Sequence, residues 1–336
     1  MKVIKFFAIT AMAAAMITSC SNEDELSQSN YPSDNIIRVT AGVNNAKTRA
    51  EGAGTEMKND FSLTIVNKNA PKYTYTDKVF SKSSGDWACS ETLLWQKSDA
   101  LVDIVAFAPA QTGKFNGVYA NGSIQPIAYS VASDQSTASD KNDLLYYYAK
   151  DFNPGTSLVN KKLSIQFNHA FCMIDIVVTL GTEFNKPKVL DDSPIVKVTL
   201  DGTKIAANVD VKNAATGSTT TTAASVVTAN EEATPTTITT TKGTFTKAAN
   251  EEANAKSCFS CIAIPQTVAA NTFKVSLMTA GKRYEWTSAD KVELKSGYKY
   301  TLELSMGNDV VLLKGGSISA TPWTEAEISD NTLETE

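Results

Sequence analysis

The sequence predicts an all-β protein built from two tandem transthyretin-like or immunoglobulin-like β-sandwich domains, and three observations carry the all-β, two-domain part of that expectation. Apolar and polar residues alternate with period 2 in run after run from Phe61 to Trp323, the pattern of strands with one buried face. No stretch carries an apolar stripe of helical period over a normal helix length. The chain has 336 residues, too many for one sandwich of about 100 residues and comfortable for two domains of ordinary size.

Residues 1–20 read as an export signal rather than as structure. Lys2 and Lys5 precede an apolar run from Phe6 to Ile17, which ends in the small residues Thr18 and Ser19 before Cys20. That run is too short to span a bilayer as a mature helix. Residues 21–49 form a tether and a first strand, and together they make a propeptide if the chain is cut behind them. Ile37, Val39, Ala41 and Val43 alternate there with Arg38, Thr40 and Gly42, as in a half-buried strand, and Asn44-Asn45 turns the chain. Lys47-Thr48-Arg49-Ala50 and the small residues Glu51 to Gly54 then present a basic site of the kind a trypsin-like protease enters. Cleavage after Arg49 would take a strand out of a sheet; an ordinary first strand followed by a polar loop fits these residues equally well.

Residues 50–160 are expected to form the first sandwich. Phe61 to Val66 alternates, and Lys72 to Thr76 alternates again. Trp87 and Trp95 flank Cys89 and the apolar pair Leu93-Leu94, and the turn Gln96 to Asp99 leads into Leu101 to Pro109. That last run is apolar on both faces, as a central strand would be. Leu144 to Tyr148 is a further strand, closed by the turn Asn153-Pro154-Gly155.

Residues 161–324 are assigned to the second sandwich. Leu163, Ile165 and Phe167 occupy odd positions, whereas Cys172, Ile174, Ile176, Val178 and Leu180 occupy even ones. The phase slips across Asn168-His169-Ala170-Phe171, so a bulge or a break lies there, and the join between domains is expected close by. The Thr- and Ala-rich tract 213–250 reads as a protruding hairpin or a mobile loop; its echo of Ala229 to Ala233 in Ala249 to Ala253 does not make a repeat protein. Phe273 to Leu277 turns through Ala280-Gly281-Lys282 into Arg283 to Trp286 as a hairpin, and Tyr298, Tyr300, Leu302 and Leu304 alternate with polar residues. Val310 to Leu313, a Gly315-Gly316 turn and Ile318 to Trp323 end the folded part, ahead of an acidic tail at 325–336.

Composition removes several function classes. Lys and Arg number 31 against 36 Asp and Glu, a net charge of −5, so the basic footprint of a nucleic-acid partner is missing. No second apolar run is long enough to cross a membrane, which leaves lipid as the means of anchoring. Beyond Cys20 the cysteines are Cys89, Cys172, Cys258 and Cys261. Cys258 and Cys261 lie in a strand-like run whose three-residue rise of about 10 Å exceeds disulfide reach and points them to opposite faces. One histidine and scattered thiols do not supply a zinc site, so no metal and no cofactor are expected. His169 lacks an evident nucleophile and orienting partner, and reads as structural. Asp191-Asp192 and Glu231-Glu232 sit in polar, loop-like sequence where solvation accounts for them, so no catalytic residue is assigned and no enzyme is expected.

Several of these pieces resemble one family. Ile17-Thr18-Ser19-Cys20 resembles a bacterial lipobox, in which Cys20 takes a lipid and becomes the mature N-terminus, and Ser21 to Glu25 resembles the tag that sends Bacteroides-type lipoproteins to the outer face of the outer membrane, with a solvated tether as the alternative. Taken with the strand ending in Thr48-Arg49-Ala50, Val102 to Phe107, Asp143 to Tyr146 leading to Leu163 to Ala170, Ser296 to Leu302 and the closing Ile318 to Trp323, the chain resembles the fimbrillin-like proteins of Bacteroidales over nearly its whole length. The resemblance implies two transthyretin-like sandwiches in a pilus subunit exported as a lipoprotein. It implies an arginine-specific protease that cuts between Arg49 and Ala50 and releases the strand of Ile37, Val39, Ala41 and Val43. A neighbouring subunit then fills the groove with a strand of its own, here from the region of Val310, Val311, Leu312, Leu313, Ile318 and Trp323. The implied partners are other pilus subunits, that protease, the outer membrane through Cys20, and a receptor on a host or bacterial surface. Stalk, tip and anchor positions all remain open. So does a non-polymerising surface lipoprotein that binds glycan or another ligand through aromatics such as Trp286, Tyr284, Tyr119 or Tyr129, although these read more easily as core or hairpin residues.

Overall fold

The computed structural model describes residues 30–44, 55–57, 59–83, 85–214, 225–313 and 318–323. Among them the architecture is all-β, interrupted only by short 3-10 turns and one helical turn at Pro154–Ser157. In chain order the first strands are β1 (Val39–Val43), β2 (Thr55–Glu56), β3 (Phe61–Val66), β4 (Tyr75–Ser83), β5 (Asp86–Cys89) and β6 (Val102–Ala108). The short β7 (Tyr119–Ala120) and β8 (Ser123–Ile124) pair with each other, and β9 (Ile127–Ser130), β10 (Leu145–Phe152) and β11 (Leu163–His169) follow.

Eight of these form one sheet in the order β11-β10-β6-β3-β4-β5-β1-β2, and β1 also pairs with β11. The sheet therefore curls back on itself, and β1 is the strand that closes it. Its interior is packed by Phe61, Leu63 and Ile65 of β3, Ile104 and Ala106 of β6, and Leu163, Ile165 and Phe167 of β11. Phe61 is the hub: its ring stacks on Phe80 at 5.4 Å and meets Trp87 and Phe167 edge-on at 4.9 and 5.5 Å. All seven residues of β6 are buried, as its two-sided apolar pattern requires. Ile104 and Ala106 face this core, whereas Val105 and Phe107 face a second one.

The remaining strands are β12 (Cys172–Leu180), β13 (Ile195–Asp201), β14 (Ala206–Val209), β15 (Val227–Ala229), β16 (Ile238–Thr239), β17 (Thr241–Thr246) and β18 (Lys256–Ala263). After them come β19 (Gln266–Val268), β20 (Lys274–Thr279), β21 (Arg283–Thr287), β22 (Val292–Leu294), β23 (Tyr298–Met306), β24 (Val311–Leu313) and β25 (Ser319–Pro322). One sheet runs β17-β18-β12-β23-β24, with β25 also on β23, and another runs β16-β13-β20-β21. Inward residues of both, among them Ile176, Leu302, Leu200 and Val275, build the second core. β9 crosses from the first half to pair with β14, and Gln135 ties the halves further: its side-chain amide donates to the Ile262 carbonyl at 2.9 Å and accepts the Ile262 N–H at 2.8 Å.

Three expectations are corrected. A boundary at residue 160 puts β11 with the strands that follow it, yet it hydrogen-bonds β10 and β1 in the first sheet, because Leu163, Ile165 and Phe167 fill the first core. The passage between sheets is the phase slip itself, at the fully buried Ala170 and Phe171. Lys72 to Thr76 is not one strand: Pro71 opens a 3-10 turn through Tyr73, and β4 starts only at Tyr75. The described part of the Thr-rich tract is not one protruding hairpin but three short strands joined by turns. Its β15, β16 and β17 join three different sheets, each through the β-propensity of threonine, and the first two are anchored by Val227 and Ile238, both buried.

Candidate functional site

The candidate site has two parts, the strand that closes the first sheet and the last two strands among the described residues. β1 runs parallel to β11 in unbroken register from Val39 opposite Leu163 to Val43 opposite Phe167. The ladder extends past both ends of β1: Leu163 N–H donates to the Arg38 carbonyl at 2.7 Å and Asn44 N–H to the Phe167 carbonyl at 2.7 Å. On its other side β1 meets β5 only at Val39 and Trp87, and β2 at Gly42 and Val43. Ile37, Val39 and Val43 are buried, as their alternation predicts, while Ala41 is half-buried. Each of the three large side chains contributes roughly 1.5–3 kcal/mol when withdrawn from water, so an empty β1 groove would be costly. A cavity of about 210 Å³ lies beside the entry to β1, lined by Ile37, Arg38, Phe80, Trp87 and Leu93 among others.

Arg38 points out of the groove and pairs with Asp34, Nη2 to Oδ2 at 2.6 Å. The hydrogen bond to the guanidinium, helped by the Ile36 N–H, holds the Asp34 carboxyl down to about 2.

The C-terminal strands are attached differently. β24 covers one half of the β23 edge, with Met306 opposite Val311, and β25 covers the other, with Tyr298 opposite Pro322. Ser319–Pro322 is exposed throughout, and Val310 and Leu312 are 50% and 60% exposed; Val311 is buried. Main-chain hydrogen bonds hold most of this pair, with Val311 its one described residue in the core and Ile318 packed against that core. Its end is fixed by Trp323, whose N–H donates to the Gly297 carbonyl at 2.7 Å and whose ring lies on the His169 imidazole with centroids 3.8 Å apart and planes 12° apart. Gly297, in a left-handed conformation at φ +70°, turns the chain so that its own N–H reaches the Phe171 carbonyl at 2.9 Å. His169 Nδ1 sits 3.0 and 3.1 Å from the two Asp143 carboxylate oxygens.

Cys20, Arg49, Ala50, the side chain of Leu313 and the tail 325–336 lie outside the described residues. Among the described ones all four cysteines are free thiols, and Cys258 and Cys261 face opposite sides of β18, half-buried and buried. Burial pushes the Cys261 thiol up to about 12 and the Cys172 thiol up as well, so neither ionises near neutrality. Tyr129 and Tyr284 are buried and Tyr119 packs on the second core, whereas half-buried Trp286 lines a cleft. The stack of Trp323 on His169 had no sequence signal, since nothing local relates the two residues.

A family model described as fimbrillin-like matches residues 48–323. The chain belongs to the fimbrillin-like family. The structure of this fimbrillin-like chain is similar to a putative cell adhesion protein from Bacteroides ovatus ATCC 8483, at 16% identity and a TM-score of 0.58, with 87% of this chain and 99% of that one covered. It is also similar to a putative cell adhesion protein from Bacteroides uniformis ATCC 8492, at 15% identity and a TM-score of 0.54 over 87% and 100% of the two chains. A fimbrial protein from Bacteroides vulgatus ATCC 8482 superposes at 14% identity and 0.53, covering 86% and 99%. At these identities the likeness concerns the fold. No curated protein matches the chain.

Proposed function

We propose that this chain is a structural and adhesive subunit of a cell-surface pilus, exported as a lipoprotein on Cys20, cut after Arg49 by an arginine-specific protease, and polymerised by strand donation. The observation that carries the reading is the position of β1. It closes the first sheet between β11 and β5, and every strand it pairs with follows Arg49 in the chain. One cut at Arg49 leaves β1 held by noncovalent contacts alone. A strand from a neighbour then replaces it, with main-chain hydrogen bonds supplying affinity and alternate side chains refilling the places of Ile37, Val39 and Val43.

The donor on this reading is the β24–β25 region, including Val310, Val311, Leu312, Leu313, Ile318 and Trp323. It sits on a sheet edge, it presents Val310 and Leu312 outward on alternate positions, and its removal leaves the second core nearly whole. A subunit that gives a strand at one end and takes one at the other makes a heterologous contact, and such contacts propagate as a filament. The two halves act as tandem transthyretin-like sandwiches, the first completed by the received strand. The lipid at Cys20 places the precursor at the outer membrane before assembly, and a host or bacterial surface receptor is the adhesive partner. Arg49→Ala tests the scheme: it yields a lipidated precursor that does not polymerise, and ordinary fibres from that variant would remove Arg49 from the mechanism.

A further inference from the structure

We infer that the cleft between β21, β22 and β25 is a binding site for a neutral saccharide, with Trp286 as its stacking platform. The cleft encloses about 480 Å³, inside the range of roughly 300–1,000 Å³ typical of small-ligand sites. The inward face of β21 carries buried Tyr284 and then half-buried Trp286, so Trp286 marks the place where that core face opens to solvent. Phe273 backs the indole edge-on at 6.4 Å and 79°, which fixes its plane. Tyr300 also lines the cleft, and its hydroxyl accepts the Lys295 N–H at 2.8 Å and keeps its own proton to donate.

The charge on the rim selects the chemistry. Asp290 and Lys291 both line the cleft, and neither side chain makes an ion pair or hydrogen bond among the described residues. Glu293 has Oε2 3.5 Å from Lys295 Nζ. Asp290 and Glu293 set two carboxylates in the lining against Lys291, with Lys295 outside it offsetting Glu293, so no positive excess recruits a phosphate. These groups offer carboxylate acceptors beside an ammonium donor, next to an aromatic face and a phenol. A ring with hydroxyls that both donate and accept, and with an apolar C–H face, matches all of these at once.

The opposite wall is made by Ile318 and by Ala320 of β25, which pairs with Tyr300. The pocket is therefore whole only while the C-terminal strand stays on β23. This last step rests on the proposed strand donation: a subunit that has given its strand away has lost one wall of the site, so binding belongs to a subunit whose own β25 is in place.

The purified full-length protein is applied to a printed array of defined oligosaccharides, and retained saccharides are titrated by calorimetry. Binding should weaken about tenfold in Trp286→Ala. It should weaken at least about threefold in the milder Asp290→Asn and Glu293→Gln, which leave the core untouched. A disulfide between Thr301→Cys and Ser319→Cys, two residues directly paired across β23 and β25, should keep the saccharide affinity and stop polymerisation. If the stapled protein still polymerises and still binds sugar, strand donation by β25 fails and the cleft stands. If no saccharide is retained, if all variants bind like the parent chain, or if choline or inorganic phosphate binds instead, the saccharide site is wrong.

Discussion

The Trp323 indole lies flat on the His169 imidazole, 3.8 Å from centroid to centroid, and so joins the last described residue of the chain to the end of β11, the strand that β1 covers. The two exchangeable elements of the proposed mechanism thus converge on one strand. Asp143 holds the His169 ring at its edge, through Nδ1 at 3.0 Å, and so fixes the plane on which Trp323 stacks.

Removing the indole should loosen the C-terminal strands without touching the first sheet. Trp323→Ala should cost about 1 kcal/mol, the worth of an aromatic pair. Hydrogen exchange should quicken at the β23 amides paired with β25, from Tyr298 to Thr301, while Ile104 to Phe107 in β6 keep their protection. His169→Phe should retain most of the stack, whereas His169→Ala should lose it and, because His169 is buried in β11 and pairs with Asp143, should loosen the first sheet as well.

A charge in the closing strand should matter before processing and not after it. Val43→Asp places an unpaired carboxylate among buried apolar side chains and should destabilise the precursor by about 3 kcal/mol or more. Once residues 1–49 are gone the substitution is gone too, so thermal unfolding of the processed subunit should be unchanged. Equal loss in both forms would mean that β1 stays in place.

The outward apolar residues of β24 should separate folding from assembly. Val310 and Leu312 are exposed in the free subunit, so Val310→Ser with Leu312→Ser should change stability by less than about 0.5 kcal/mol. Sedimentation of processed protein should nevertheless show loss of polymer, because those side chains would have to fill a neighbour's groove.

Acid should act on the entry to β1 through Asp34. Its carboxyl is held at about 2 in the folded chain against an ordinary 3.8, so the charged form favours folding. The linked stability is complete above the ordinary carboxylate range and is lost as pH falls from about 4 through about 2. Carbon-detected titration should place the Asp34 midpoint near 2, and Arg38→Ala should return it toward the ordinary value.

Much of this arrangement was legible because burial writes itself into alternation. The odd set Leu163, Ile165, Phe167 and the even set from Cys172 to Leu180 announced two strands and the slip between them, and Val102 to Ala108 announced a strand buried on both faces. Ile37, Val39 and Val43 could be picked out for the same reason. Which sheet a strand joins could not, since period 2 states that one face is buried and says nothing of the partner. That is why the sequence groups β11 with β12 rather than with β10, and why its parallel pairing with β1 shows only in the structure. The Thr-rich tract shows no period because its strands are short and carry one large apolar residue each, Val227, Ile238 and Phe245, too few to set one. The pairing of Trp323 with His169 depends wholly on tertiary placement.

The most direct test of strand release is the intact mass and N-terminal sequence of the polymeric protein taken from the native cell surface. Strand release predicts a chain that begins at Ala50 and carries no lipid. Polymer whose subunits begin at an acylated Cys20, with Ile37 to Val43 still attached, would contradict it.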